Sequence, residues 1–134
     1  MALRLSLKFF WHSSWLYSST NRNQMNKVLK GESFTKEIIK ASGLAIVQFK
    51  TEWNGGCQIM APIYEELSRQ YSTKAKFFTI DTEKEKTITK EYRVTELPTI
   101  LIFKSGELID HVTGLTPKNI LIEKIEQAIS GISK

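Results

Sequence analysis

The sequence predicts an α/β protein: a mixed sheet of four to five strands flanked by helices on both faces. Three observations carry this. From residue 25 onward the hydrophobic pattern switches repeatedly between helical and strand periods, in the order α-β-α-β-α-β-β-α. The early strands are separated by helical stretches and so run parallel, whereas the last two are joined only through Ser105-Gly106-Glu107, short enough for an antiparallel hairpin. The length, 134 residues with 41% hydrophobic and 25% charged, suits one domain with its own core and is too short for two.

Each element has a local reason. Ser33 before FTKEIIKAS reads as an N-cap, with Phe34, Ile38 and Ile39 or Ala41 facing inward. Gly43 punctuates, and Leu44–Lys50 (LAIVQFK) is an apolar run of strand length. After the loop TEWNGG, Ile59, Met60, Ile63, Leu67 and Tyr71 mark one face of a helix, with Pro62 inside it as a kink or a lost hydrogen bond. Lys76–Asp81 is a second strand, and Glu83–Arg93 a charged helix. Pro98–Phe103 and Leu108–Thr113 are the hairpin strands. Thr116 reads as an N-cap with Pro117 at the first helical position. Ile120, Leu121, Ile125, Ala128 and Ile129 line the last helix, and Gly131 ends it.

Charge and cysteine content narrow the function classes. The net charge of +5 is uneven: residues 1–24 hold Arg4, Lys8 and Arg22 with no acid, and residues 25–134 carry only +2. The body has no basic block that argues for nucleic acid, and no apolar run reaches the roughly 18 residues of a membrane span. Residues 1–24 form an N-terminal extension. It reads as a disordered tail, a start assigned too early, or an organelle targeting segment, with the domain beginning at Met25. Cys57 is the single cysteine, which rules out an internal disulfide and a cysteine-pair zinc site. No cofactor or metal is implied, and His111 reads as an exposed strand histidine. An unpaired cysteine suits a reducing compartment: the cytoplasm, or an organelle matrix if residues 1–24 are a transit peptide.

Two segments, TEWNGGC with Pro62 five residues beyond it and TELPT with Gly106 and Gly114 after it, carry a resemblance: from about Val28 to Ile129 the chain resembles the thioredoxin family. VQFKTEWNGGCQIMAPIYEEL (Val47–Leu67) is similar to the family's strand, its WCGPC motif and the following helix. Trp53 matches the tryptophan, Cys57 the second cysteine and Pro62 the helix proline. TELPTILIFKSGEL (Thr95–Leu108) is similar to the loop ending in a cis-proline, here Pro98, and Gly106 and Gly114 match structural glycines. The resemblance implies the thioredoxin fold, a place in redox homeostasis, and a shallow groove that holds an extended peptide. Trp53, Asn54, Gly55, Gly56, Leu97, Pro98 and Thr113 would rim that groove.

The departures bear on activity. Asn54 stands where the family has its nucleophilic cysteine, and Gly56 replaces the motif proline. Gln48 replaces the buried aspartate, and Phe77 the nearby lysine. A carboxamide neither ionises to a nucleophile nor takes a proton from a thiol at neutral pH. Disulfide reduction needs one thiolate to attack and a second thiol to release the mixed disulfide. Asn54 with Gly55-Gly56 reads as a helix N-cap and permissive turn, or as a catalytic amide. Cys57 reads as a small buried thiol, or as a single reactive one favoured by the first helical turn. Three functions follow: a protein-binding domain without dithiol activity; a monothiol enzyme using Cys57 on disulfides or peroxide, with glutathione or another external thiol; or a plain subunit-interaction domain.

Overall fold

The computed structural model describes residues 25–131, so the readings of residues 1–24 lie outside the described residues. The sheet is built around β2 (Leu44–Lys50). It pairs in parallel with β3 (Ala75–Asp81) and antiparallel with β4 (Thr99–Lys104). β1 (Asn26–Val28) adds in parallel to β3, and β5 (Glu107–Thr113) antiparallel to β4. The five-stranded order is β1-β3-β2-β4-β5.

Pleating divides the core into two layers. Leu44 and Ile46 pack with Met60, Tyr64 and Leu67 of α1 (Gly55–Gln70) and with Leu121, Ile125 and Ala128 of α3 (Lys118–Ser130). Ala45, Val47 and Phe49 face the opposite layer, formed by Phe34, Ile38 and, from α2 (Lys86–Glu91), Ile88. With helices over both faces and strands on both edges, residues 44–49 are all buried. Phe34, Tyr92 and Phe103 form a ring cluster with centroids 5.2–5.7 Å apart, which fixes the N-terminal helical segment against the sheet. The fold is therefore α/β with a mixed sheet between helices.

Several elements differ locally from the pattern reading. β1 carries no periodic signal in its three residues. It pairs with the free edge of β3, and Thr79 Oγ1 donates to Asn26 Oδ1 at 2.6 Å. Ser33 is not an N-cap; it lies in a 3-10 turn (Gly31–Ser33) that leads to a π-helical turn (Thr35–Ile39), and Ile39 is exposed. The inward stripe of α1 is Cys57, Met60, Tyr64 and Leu67, leaving Ile59 60% exposed. α1 continues through Pro62. The charged helix is shorter than Glu83–Arg93, because the Asp81 carboxylate and carbonyl accept bonds from Glu83, Lys84 and Glu85 N–H and hold those residues in a turn. Thr116 donates its hydroxyl to the Gly114 carbonyl instead of capping α3, and Pro117 takes the N-cap position.

Two close contacts set register and helix placement. At the β4–β5 turn, Ser105 and Gly106 have φ of 49° and 85°, as a two-residue hairpin of primed type requires. A Cβ on Gly106 would collide with the Ile39 carbonyl. Tyr64, fully buried, brings its hydroxyl 2.6 Å from the Phe78 carbonyl and 3.0 Å from that of Ile46, pinning α1 to β2 and β3.

Gly106→Ala should destabilise the fold by about 2 kcal/mol or more, through both the positive φ and the carbonyl collision; urea unfolding reads this directly. Burial pushes the Tyr64 phenol well above its ordinary range, and a hydrogen bond to Glu126, aided by burial, pushes Tyr71 up to about 12. The folded chain then holds phenol protons that the unfolded chain releases near pH 10. Stability should be intact below that pH and fall as pH rises from 10 through 12. Unfolding midpoints measured across that range should decline, and less steeply for Glu126→Gln.

Candidate functional site

The strand pairing brings two separate segments together. Phe49 lies opposite Thr99, so the loop leaving the end of β2 emerges beside the loop entering β4. The first carries Trp53, Asn54, Gly55 and Gly56, and the second carries Leu97 and Pro98, joined by a cis peptide. A Cβ placed on Gly56 would sit 3.4 Å from Pro98 Cδ and 3.5 Å from the Leu97 carbonyl oxygen, so the two loops are in contact there. The Gly114 N–H donates to the Pro98 carbonyl at 2.7 Å, which brings the end of β5, with Thr113, to the same place. Trp53, Gly56, Leu97, Pro98 and Thr113 thus share one end of the sheet.

The start of α1 is built by Asn54. Its backbone is extended, and its Oδ1 accepts from the Cys57 N–H at 2.9 Å, so one of the helix's unpaired first-turn N–H groups is satisfied. Gln58 N–H bonds the Asn54 carbonyl at 3.0 Å, while the Gln58 side chain reaches back to the Glu52 carbonyl at 2.9 Å. This geometry is that of the N-cap reading.

Cys57 is 2% exposed, and its residue faces the α1–sheet layer rather than solvent. That is the geometry of the small buried thiol. Trp53, by contrast, is 68% exposed, and Leu115, which the pattern reading passed over, is 58% exposed just beyond Gly114. Its signal was an apolar residue between a glycine and a threonine, where a loop would ordinarily be polar. Leu97 is half-buried and Pro98 buried.

Beneath the loop, Gln48 on β2 is 2% exposed, and its Nε2 has no hydrogen-bond partner among the described residues. The Thr51 hydroxyl is likewise buried without a partner. A buried carboxamide carries no exchangeable charge, so this strand supplies no proton acceptor to Cys57. His111 is exposed on β5. Among the described residues, no three acidic, histidine or cysteine side chains cluster so as to hold a metal, and no helix is long and apolar enough to cross a membrane.

A tryptophan-led loop opening a helix, set against a cis-proline loop at the edge of the same strand pair, defines an α/β protein of the thioredoxin class with one thiol at its site. Comparison with known proteins agrees. The thioredoxin profile matches residues 25–127. The thioredoxin of Pyropia yezoensis is 35% identical over 98 residues, spanning 73% of this chain and 92% of that one. The thioredoxin of Rickettsia felis is 35% identical over 97 residues, 72% of this chain and 92% of its own. The M-type chloroplastic thioredoxin of Pisum sativum is 34% identical over 103 residues, 77% of this chain and 60% of its own. The chain belongs to the thioredoxin family.

Asn54→Ala removes the cap of α1 and should destabilise the fold by about 1 kcal/mol, whereas Asn54→Asp should retain most of that stability. Chemical unfolding of both variants distinguishes a capping residue from one that matters only to chemistry.

Proposed function

We propose that this chain is a thioredoxin-like protein that works by binding a protein or peptide segment beside Trp53 and Pro98, without dithiol turnover. The observation that carries the reading is the cap. At Asn54, which by the resemblance takes the place of the family's attacking cysteine, a carboxamide is committed to the Cys57 N–H, and the one thiol lies buried behind it. A disulfide exchange proceeds by in-line attack of a thiolate on sulfur. Neither Asn54 nor a 2%-exposed Cys57 offers that approach.

The binding half rests on what the site leaves open. Trp53, in the loop before α1, and Leu115, next to the Gly114 that bonds Pro98, both expose large apolar surfaces. Among the described residues, the Leu97 N–H and C=O make no hydrogen bond, so this short extended stretch has backbone groups available to a partner strand. Pro98 has no N–H to give, and its carbonyl is taken by Gly114, so pairing is directed to Leu97. Asn54, Gly55, Gly56 and Thr113 form the rest of the rim. The single unpaired cysteine suits the cytoplasm, or an organelle matrix if residues 1–24 are removed as a transit segment.

The purified protein should reduce insulin disulfides no faster than free dithiol does; sustained turnover with a reductase would overturn the reading. A thiol reagent should label Cys57 slowly in the native state and rapidly in urea. Fast native labelling with a midpoint below pH 7 would instead support a monothiol enzyme, with glutathione as a partner. Asn54→Cys should form an internal disulfide with Cys57, because both positions sit at the start of α1.

A further inference from the structure

Next to the groove lies an open recess of about 520 Å³ that the reading above does not use. Its walls carry Lys86, Lys90 and Arg93, with Thr82, Thr89 and Thr95, and no acidic residue. Lys86 and Lys90 are one turn apart on α2, and Arg93 follows the end of that helix. The cations of the ion pairs among the described residues are Lys27, Arg69, Lys118 and Lys124, so none of the three charges of the recess is ion-paired among the described residues.

Arg93 adds a second observation. Its φ is 55°, the left-handed conformation that glycine or asparagine adopts at lower cost after a helix. The turn is held by Arg93 N–H to the Lys90 carbonyl and Val94 N–H to the Thr89 carbonyl, both at 3.0 Å. An arginine there gives up backbone stability and places a guanidinium on the wall of the recess.

Recess and groove share a rim. The Thr82 N–H bonds the Lys50 carbonyl at 3.0 Å, three residues before Trp53. Thr95 stands two residues before Leu97, within about 7 Å along the chain. An extended segment paired with Leu97 therefore passes the recess within two or three residues.

We propose that the recess of Lys86, Lys90 and Arg93 binds acidic side chains of the segment held in the groove, so that the partner is a protein presenting an extended, acidic stretch. The inference rests on the groove reading above. A peptide fits the charge distribution better than a polyanion does, because Lys86 also lines a neighbouring recess that holds Glu32, Glu85 and Glu91 together with Lys84. Those three acids offset the positive charge on that side of Lys86 and would repel a long phosphate backbone laid across both recesses.

The test uses the full chain and two labelled twelve-residue peptides with the same alternating Val/Thr centre, one flanked by Glu-Asp-Glu and the other by Gln-Asn-Gln. At about 50 mM salt the acidic peptide should bind roughly tenfold more tightly, and the ratio should approach one at about 300 mM. Lys86→Gln/Lys90→Gln/Arg93→Gln should abolish the preference and leave the neutral peptide's affinity unchanged. Amide shifts at Trp53 and Leu97 report the groove independently. Equal affinities with groove shifts would overturn this inference and leave the groove reading standing. Acid preference with shifts at Lys90 and Arg93 but none at Trp53 or Leu97 would support the recess and overturn the groove. Tighter binding of a twelve-nucleotide single-stranded DNA than of the acidic peptide would overturn the partner class. Arg93→Gly should raise the melting temperature by roughly 2–5 °C while reducing the acid preference, the signature of stability given up for binding.

Discussion

Phe49 of β2 lies opposite Thr99 of β4, and both residues are buried. That antiparallel register is the constraint on which the site depends. β2 pairs in parallel on its other side with β3, so the sheet changes sense at β2. The loop that leaves the end of β2 must then lie beside the loop that enters β4. A one-residue slip would exchange the two faces of β4, moving Ile100 and Ile102 out of one core layer and Leu101 and Phe103 out of the other. The core therefore holds Trp53–Cys57 against Leu97–Pro98 without any direct bond between the two loops having to do so.

Within that frame, helix capping and thiol chemistry compete for one position. The first turn of α1 has unpaired N–H groups, and a side chain just before it can satisfy one of them or act on a substrate. Here Asn54 satisfies the Cys57 N–H. The carboxamide of Gln48 keeps the space beneath the helix free of a titrating carboxylate, with its Nε2 unpaired among the described residues. Trp53 and Leu115 are exposed, one in the loop before α1 and the other just beyond Gly114.

Much of this was legible in the sequence wherever local pattern and tertiary demand coincide. LAIVQFK suited a buried strand and Ser-Gly between two apolar runs a tight turn, and the structure has both. For Asn54 the sequence offered an N-cap or a catalytic amide, and the bond from the Cys57 N–H shows the cap. The misreadings share one cause, which is that neighbours decide what a local pattern leaves open. Ile59 and Tyr64 are both hydrophobic positions on α1. The phase of the helix against the sheet buries Tyr64, whose hydroxyl finds backbone carbonyls, and leaves Ile59 in solvent. β1 exists because β3 had an unpaired edge. The charged helix lost its first turn to Asp81, which competes for the same N–H groups.

The sequence by itself determined the architecture and the number of thiols. Hydrophobic period and turn residues specify an alternating α/β chain, and residue identity alone limits it to one thiol, since no fold can supply a second. Only the tertiary structure decided which side chains meet. Burial of Cys57 and exposure of Trp53 depend on how α1 lies on the sheet. The contact of Gly56 with Pro98 joins residues 42 positions apart in the chain. The gathering of Lys86, Lys90 and Arg93 around one recess depends on the turn after α2. Local propensity acts over a few residues, whereas a site is assembled by strand register and helix phase, and both are set by contacts far apart in sequence.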